Sequence, residues 1–148
     1  MHGRAGYQAA LVFAVLLGAS TSAARESATA APARESVLYR FRGGHDVSVP
    51  LAGLVIDGHG TLFGTTSAGG PHNFGTLFAL APPAAGHTTW IETVLHRFRG
   101  GGDGSQPQAG VIMDPDGILY GTTINGGNTV KNLGFGTVFA FTSGEPGR

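Results

Sequence analysis

The chain has 148 residues, a formal net charge of zero and only 12% charged residues, so neither a basic nucleic-acid face nor a polybasic membrane patch is expected. It has no cysteine, which excludes disulfides, thiolate metal sites, a cysteine nucleophile and an acylated lipoprotein cysteine. Glycine occurs 26 times without a collagen-like register, and its clusters between apolar runs predict tight turns joining short strands.

The first 24 residues have the pattern of a secretory signal peptide. Residues 1–4 carry one fixed positive charge, residues 9–18 are an apolar run, and residues 19–24 are small. A helix needs about 20 apolar residues to span a bilayer, so these n-, h- and c-regions predict a cleaved signal. We expect cleavage after Ala24 or Ala23 and an exported mature protein that is secreted, periplasmic or at the cell surface, with no transmembrane span.

Residues 25–36 are predicted to be a flexible linker. They contain neither aromatic residues nor β-branched aliphatic residues, so little apolar surface is available to offset the entropy of ordering.

An internal duplication dominates the remaining sequence. Residues 37–70 read VLYRFRGGHDVSVPLAGLVIDGHGTLFGTTSAGG and residues 94–127 read VLHRFRGGGDGSQPQAGVIMDPDGILYGTTINGG, with 20 of the 34 positions identical at a constant offset of 57. A second matched block, residues 75–80 and 136–141, has an offset of 61. We therefore divide the domain at 37–148 into a first copy, 37–93, and a second copy, 94–148.

Each copy is predicted to form about four short antiparallel strands. In the first copy, residues 37–42 alternate with period two, residues 52–56 form an apolar run typical of a strand covered on both faces, and residues 61–66 and 76–80 follow. Gly64 and Gly121 lie inside the third strand, which indicates a close backbone approach or a bulge. The fold class is therefore all-β, with two propeller-like blades; a plain β-sandwich or an open sheet is the alternative.

These residues resemble the GloVer repeat of bacterial "choice-of-anchor tandem repeat" proteins. The second copy carries the pattern in full: Phe98, Gly100, Gly101, Asp103, Gly104, Pro107, Ala109, Gly110, Asp114, Gly117, residues 119–123, Gly126, Gly127 and residues 136–139. The first copy departs at Val47, where the pattern has Gly, and at Phe63 for Tyr. The resemblance implies an exported, propeller-like surface protein, and it supplies no catalytic residues.

Two blades are fewer than the 4–8 that propellers usually need, and open blades leave exposed strand edges. Proteins with this repeat usually carry more copies and a C-terminal anchor. Three outcomes therefore stay open: the chain is a fragment of a longer reading frame, several copies assemble into a homo-oligomeric ring, or the pair is marginally stable.

Candidate acidic sites have structural explanations. Asp57 and Asp114 could form the carboxylate pair of a glycoside hydrolase, but both occupy one repeat position that opens a turn, so capping of that turn is favoured. Asp46 and Asp103 could bind calcium, yet each turn offers a single carboxylate where calcium usually takes several oxygen ligands.

The remaining candidates are no stronger. The histidines lack ligand spacing and are interpreted as solvated loop residues: His2, His45, His59, His72, His87 and His96. Ser67 and Ser105 lack a nucleophile motif. The Gly-Gly clusters lack the lysine and the following helix of a phosphate-binding loop.

Four arginines and one tryptophan remain as candidate binding residues. The arginines flank Phe41 and Phe98 and could form an anion- or glycan-binding stripe, although solvated strand positions or contacts between blades are favoured: Arg40, Arg42, Arg97 and Arg99. Trp90 could stack on a carbohydrate, but packing between the two copies is favoured.

The sequence thus predicts no catalytic, cofactor or metal residue and no cofactor. It favours a non-catalytic binding or structural module whose partner is a glycan or a cell-surface protein. The alternatives are a polysaccharide hydrolase or lyase completed by further blades, argued by analogy alone, and a truncated remnant without independent function.

Overall fold

The computed structural model describes residues 32–43, 47–127 and 134–142, and in these residues the regular structure is nine strands and one 3-10 turn, Gly101–Asp103. The strands are β1 Val47–Ser48, β2 Val55–Ile56, β3 Leu62–Thr66, β4 Ala68–Gly69, β5 Thr76–Ala81, β6 Ile91–Arg97, β7 Ile112–Met113, β8 Leu119–Thr123 and β9 Thr137–Phe141. All their pairings are antiparallel and no sheet closes on itself, so the predicted all-β class is confirmed.

The chain divides into Met1–Arg34 and Glu35–Arg148, and every strand belongs to the second unit. The predicted signal peptide and most of the predicted linker lie outside the described residues. Within the described part of the chain, no helix is long and apolar enough to cross a membrane.

The first sheet is four-stranded, in the order β2-β3-β5-β6. Its strands follow one another along the chain because tight turns and short loops join them, which favours antiparallel neighbours. Its last strand, β6, contains Val94 and therefore begins the second sequence copy. The first sheet is thus completed by a strand from the following copy.

The second sheet is three-stranded, in the order β7-β8-β9, and repeats the first. β7 and β8 begin 57 residues after β2 and β3, and β9 begins 61 residues after β5. The prediction of four strands per copy is therefore met in the first sheet only with a strand of the second copy, and the second sheet has three described strands.

Residues 37–42 were predicted to be the first strand, and that prediction is wrong for the described residues, where no strand is assigned to them. Their counterpart in the second copy, β6, pairs with β5. A strand needs a hydrogen-bonding edge beside it, and residues 37–42 have the sequence of a strand without such an edge.

The apolar run at residues 52–56 is also shorter as a strand than predicted. Only Val55–Ile56 pairs, and the side chains of Leu54 and Ile56 are exposed. The expectation of a strand covered on both faces is wrong because β2 lies at the edge of the first sheet, beside β3 alone.

Gly64 and Gly121 provide the predicted close approach, with no bulge in the register at either residue. Gly64 lies opposite Phe78, and a Cβ on Gly64 would lie 2.9 Å from Phe78 Cζ. In the second copy, a Cβ on Gly121 would lie 2.5 Å from Phe139 Cζ. Each glycine therefore leaves room for the phenylalanine ring of the neighbouring strand.

The core consists of two clusters on opposite faces of the first sheet. On the face we call the front, Val47, Phe78 and Leu80 are buried, with partly buried neighbours around them: Tyr39, Phe41, Leu62, Trp90 and Val94. On the back face, Leu77 packs with Val111 and Leu119 of the second copy. The front face of the second sheet therefore covers the back face of the first, as in stacked repeats.

Hydrogen bonds also join the two copies. The Thr65 hydroxyl donates to the carbonyl oxygen of Ala109 at 2.9 Å. The backbone N–H of Gln106 donates to the carbonyl oxygen of Phe74 at 2.7 Å. The interface between copies is thus polar at its margins and apolar at its centre.

Candidate functional site

Asp57 begins the turn between β2 and β3. Its Oδ1 accepts hydrogen bonds from the backbone N–H groups of His59 at 2.8 Å and Thr61 at 2.9 Å. The turn is closed by the backbone N–H of Gly60, which donates to the carbonyl oxygen of Asp57 at 3.2 Å. The carboxylate therefore satisfies backbone donors that a tight turn leaves without a strand partner.

Asp114 does the same between β7 and β8. Its Oδ1 accepts from the backbone N–H groups of Asp116 at 3.0 Å and Ile118 at 2.9 Å. The Tyr120 hydroxyl also donates to Asp114 Oδ2 at 3.0 Å, a bond that Phe63 cannot make in the first copy. The interpretation of both aspartates as turn-capping residues is confirmed.

Both carboxyl groups are held in the ionised form. Desolvation raises the pKa of Asp57, but hydrogen bonds from Thr61 and His59 outweigh it and lower the pKa below its ordinary value of 3.8. The backbone N–H of Ile118 lowers the pKa of Asp114 in the same way, against a smaller effect of desolvation. The hydrogen bond to Asp114 correspondingly raises the pKa of Tyr120.

The two turns line one open cavity of about 650 Å³. Its polar wall holds the turn residues of both copies, and its apolar wall includes Val55, Phe63 and Met113. The tertiary structure therefore brings Asp57 and Asp114 to one surface. A glycosidase pair needs a proton donor with a raised pKa, whereas both pKa values are lowered here, so this pair does not supply the general acid.

His96 and Asp103 form an ion pair that the sequence did not indicate. His96 Nε2 lies 3.0 Å from Asp103 Oδ1, and the backbone N–H of Arg99 donates to Asp103 Oδ2 at 2.8 Å. The 3-10 turn Gly101–Asp103 folds the carboxylate back toward β6. The Gly-Gly pair before Asp103 was the available signal, because such a turn brings residues seven apart into contact.

The remaining metal and nucleophile candidates are dispersed. Among the described residues, no group of three or more His, Cys, Asp or Glu side chains could hold a metal ion; His2, His45 and Asp46 lie outside them. The Ser67 hydroxyl donates to the carbonyl oxygen of Val49 at 3.3 Å. Ser105 is buried and its backbone pairs with Asn125.

Trp90 packs against the front cluster of the first sheet, so the expected position between the two copies is wrong. Because Trp90 directly precedes β6, the edge strand carries it onto the side of the first sheet that faces residues 37–42. A groove there is lined by residues 37–42 together with Thr88, Thr89 and Trp90. Of the four candidate arginines, the structure brings Arg40 and Arg42 to this groove with the tryptophan.

Threonine pairs are a duplicated feature that sequence reasoning missed. Thr66 Oγ1 and Thr76 Oγ1 lie 2.8 Å apart and are fully buried. Thr123 Oγ1 and Thr137 Oγ1 lie 2.7 Å apart in the second copy. The GTT motif and the GT pair that recur in both copies were the signal, since buried hydroxyl groups need partners.

A family model described as the Gloeobacter/Verrucomicrobia repeat matches residues 22–146 of the chain. No curated protein and no solved structure matches it.

Proposed function

The chain belongs to the Gloeobacter/Verrucomicrobia repeat family, and from this premise we propose that it is an exported, non-catalytic repeat module that serves as a structural or binding unit at or outside the cell envelope. The family match confirms the resemblance to GloVer repeats. The proposal also includes a propeller-like arrangement of the sheets, in which each sheet packs on the next as successive blades do.

One observation carries the non-catalytic proposal: polar residues shared by the two copies are engaged in holding the fold. Asp57 and Asp114 cap equivalent turns. The Thr66–Thr76 pair and its counterpart join equivalent strands. Residues repeated for architecture in this way support a scaffold, because a catalytic site usually needs groups with different environments and different roles.

Activity measurements test this proposal against the hydrolase alternative. The protein and its Asp57→Asn/Asp114→Asn variant are incubated with a panel of neutral and anionic polysaccharides, and new reducing ends and unsaturated products are measured. We expect no turnover by either protein. Turnover that the variant loses while its thermal unfolding transition persists would contradict the proposal and would assign the two carboxylates to catalysis.

The proposed export rests on the signal-like pattern of residues 1–24. Expression in a Gram-negative host, followed by N-terminal sequencing of the periplasmic and culture-fluid fractions, tests it. We expect a mature N-terminus at Ala24 or Arg25. A chain that stays in the cytoplasm with residues 1–24 attached would contradict export.

A second candidate function is recognition of an anionic glycan in the groove beside Trp90. The groove combines an indole ring with the guanidinium groups of Arg40 and Arg42, and aromatic faces with nearby cations suit sugars that carry carboxylate or sulfate groups. Titration calorimetry with a polyuronate and a sulfated polysaccharide tests it. Arg42→Gln should weaken binding, whereas Arg99→Gln, at the equivalent position outside the groove, should not.

A further inference from the structure

The outer edge of β9 lacks the strand that its counterpart has. In the first sheet, β5 lies between β3 and β6 and pairs with both. In the second sheet, β9 pairs with β8, and no other described strand lies along it. Because β5 and β9 occupy the same repeat position, the first sheet shows which strand belongs there: the one that opens the following copy.

The chain contains a second example of that strand. Residues 35–42 read ESVLYRFR and residues 92–99 read ETVLHRFR, so six of the eight positions are identical. Residues 92–97 belong to β6, whereas residues 35–42 pair with no described strand. The side chains of Val37 and Leu38 are exposed. One sequence is therefore present twice, once as an edge strand and once without a sheet to join.

Residues 35–42 already lie as the counterpart does. Phe98 follows β6 and packs edge to face on Phe139, with ring centroids 5.2 Å apart. Phe41 packs in the same way on Phe78, also at 5.2 Å. The segment after residue 92 thus adds a strand to one sheet while its phenylalanine covers the front of the next. Residues 35–42 cover the front of the first sheet, and the strand edge remains available.

The sheet faces show the same relationship. Leu77, on the back of the first sheet, is fully buried by the second sheet, but its counterpart Val138 is 80% exposed, as is Ile112 to 70%. At the other end, Leu54 is 54% exposed, whereas its counterpart Val111 is 6% exposed. Each half of the contact between sheets therefore recurs uncovered, one half at each end of the described domain.

We propose that a second copy of this chain docks head to tail on the first. Residues 35–40 of the incoming copy add to the outer edge of β9 as its fourth strand, a mode of binding in which backbone hydrogen bonds extend a sheet. The front of its first sheet then packs on the back of the second sheet, covering Ile112 and Val138. This inference goes beyond the proposed function and depends on neither export nor glycan binding.

The internal pairing sets the register. Ala79 of β5 pairs with Thr93 of β6. Adding 61 to the first residue and subtracting 57 from the second places Ala140 of one copy opposite Ser36 of the other. The interface is heterologous, so repeated docking yields a closed ring or an open filament. With two sheets in each chain, a ring of about 4–8 blades contains about two to four chains.

Cysteine cross-linking tests the register, and the absence of native cysteine makes the reaction specific. The full-length Ser36→Cys and Ala140→Cys variants are purified, mixed and oxidised, and we expect an interchain disulfide. Ala79→Cys/Thr93→Cys within one chain is the positive control for this pairing geometry. Ser36→Cys mixed with Ile112→Cys is the negative control, since β7 lies two strands from β9, about 10 Å away. An interchain yield no higher than this control would overturn the proposal.

Light scattering across protein concentrations tests the interface independently. The unmodified full-length protein should have the mass of two or more chains, and Val138→Asp should reduce it to that of one. Ile91→Asp changes a side chain that is 60% exposed outside the proposed contact, and it should leave the mass unchanged. An unmodified protein that stays monomeric, or a mass insensitive to Val138→Asp, would overturn the proposal.

Discussion

Phe98 and Phe139 meet edge to face, with ring centroids 5.2 Å apart and an interplanar angle of 63°. Phe41 and Phe78 form the same pair in the first copy, at 5.2 Å and 73°. In both copies the ring comes from the segment that opens the copy and covers the sheet that follows. This pair therefore ties the end of one strand to the front of the next sheet, and four predictions concern it and the contacts around it.

Phe78→Ala should destabilise the protein more than Phe139→Ala. Phe78 is buried and lies in the front cluster, so its truncation should lower the free energy of unfolding by about 3–5 kcal/mol. Phe139 is only half-buried, and its loss should be smaller. Urea denaturation followed by circular dichroism measures both variants. Equal losses would show that the two copies are packed equally, contrary to this structure.

Gly64→Ala should be destabilising although alanine is the smallest change possible. The new Cβ would lie 2.6 Å from Leu54 Cδ2 and 2.9 Å from Phe78 Cζ, and overpacking of this kind costs about 1–3 kcal/mol. Gly58→Ala is the matched control, because a Cβ there meets no atom within 4 Å. Thermal unfolding of the two variants compares them. A Gly64→Ala variant as stable as the control would contradict the role assigned to the close approach.

The protein should lose stability in acid partly through the two turn aspartates. Their pKa values are lower in the folded protein than the ordinary 3.8, so ionisation stabilises the fold. That contribution is present above about pH 4 and is lost as the pH falls through the folded-state pKa values. Asp57→Asn/Asp114→Asn should therefore show a shallower decrease in melting temperature between pH 5 and pH 2.

The control for the acid experiment is Asp116→Asn, since Asp116 contributes its backbone N–H to the second turn. This variant should retain the acid dependence of the unmodified protein. If the double variant retained the full dependence as well, the turn carboxylates would not be its source.

Thr66→Val and Thr76→Val should each be destabilising by about 1–3 kcal/mol, because each leaves the other buried hydroxyl with one bond fewer. The double variant should cost less than the sum of the two, since it removes both partners. Thr122→Val, at an exposed neighbouring position, should be nearly neutral. Chemical denaturation of all four variants completes the cycle, and strict additivity would argue against a coupled pair.

Much of the local structure could be predicted from the sequence. The turns at Asp57 and Asp114, the strand at residues 61–66 and the close approach at Gly64 all appear as expected, because each depends on residues near one another in the chain. The candidate site was less predictable. The cavity between the turns, the His96–Asp103 pair and the groove beside Trp90 all require knowledge of which segments meet in space.

The sequence by itself determined the duplication, the all-β class and the positions of the turns, since glycine, proline and aspartate act on the backbone within a few residues. Only the tertiary structure decided which strand joins which sheet. Residues 37–42 and 94–99 are nearly the same sequence, yet only the second segment contributes to a strand, because β5 offers it an unpaired edge. A strand's alternation is local, but its hydrogen-bonding partner comes from elsewhere in the fold.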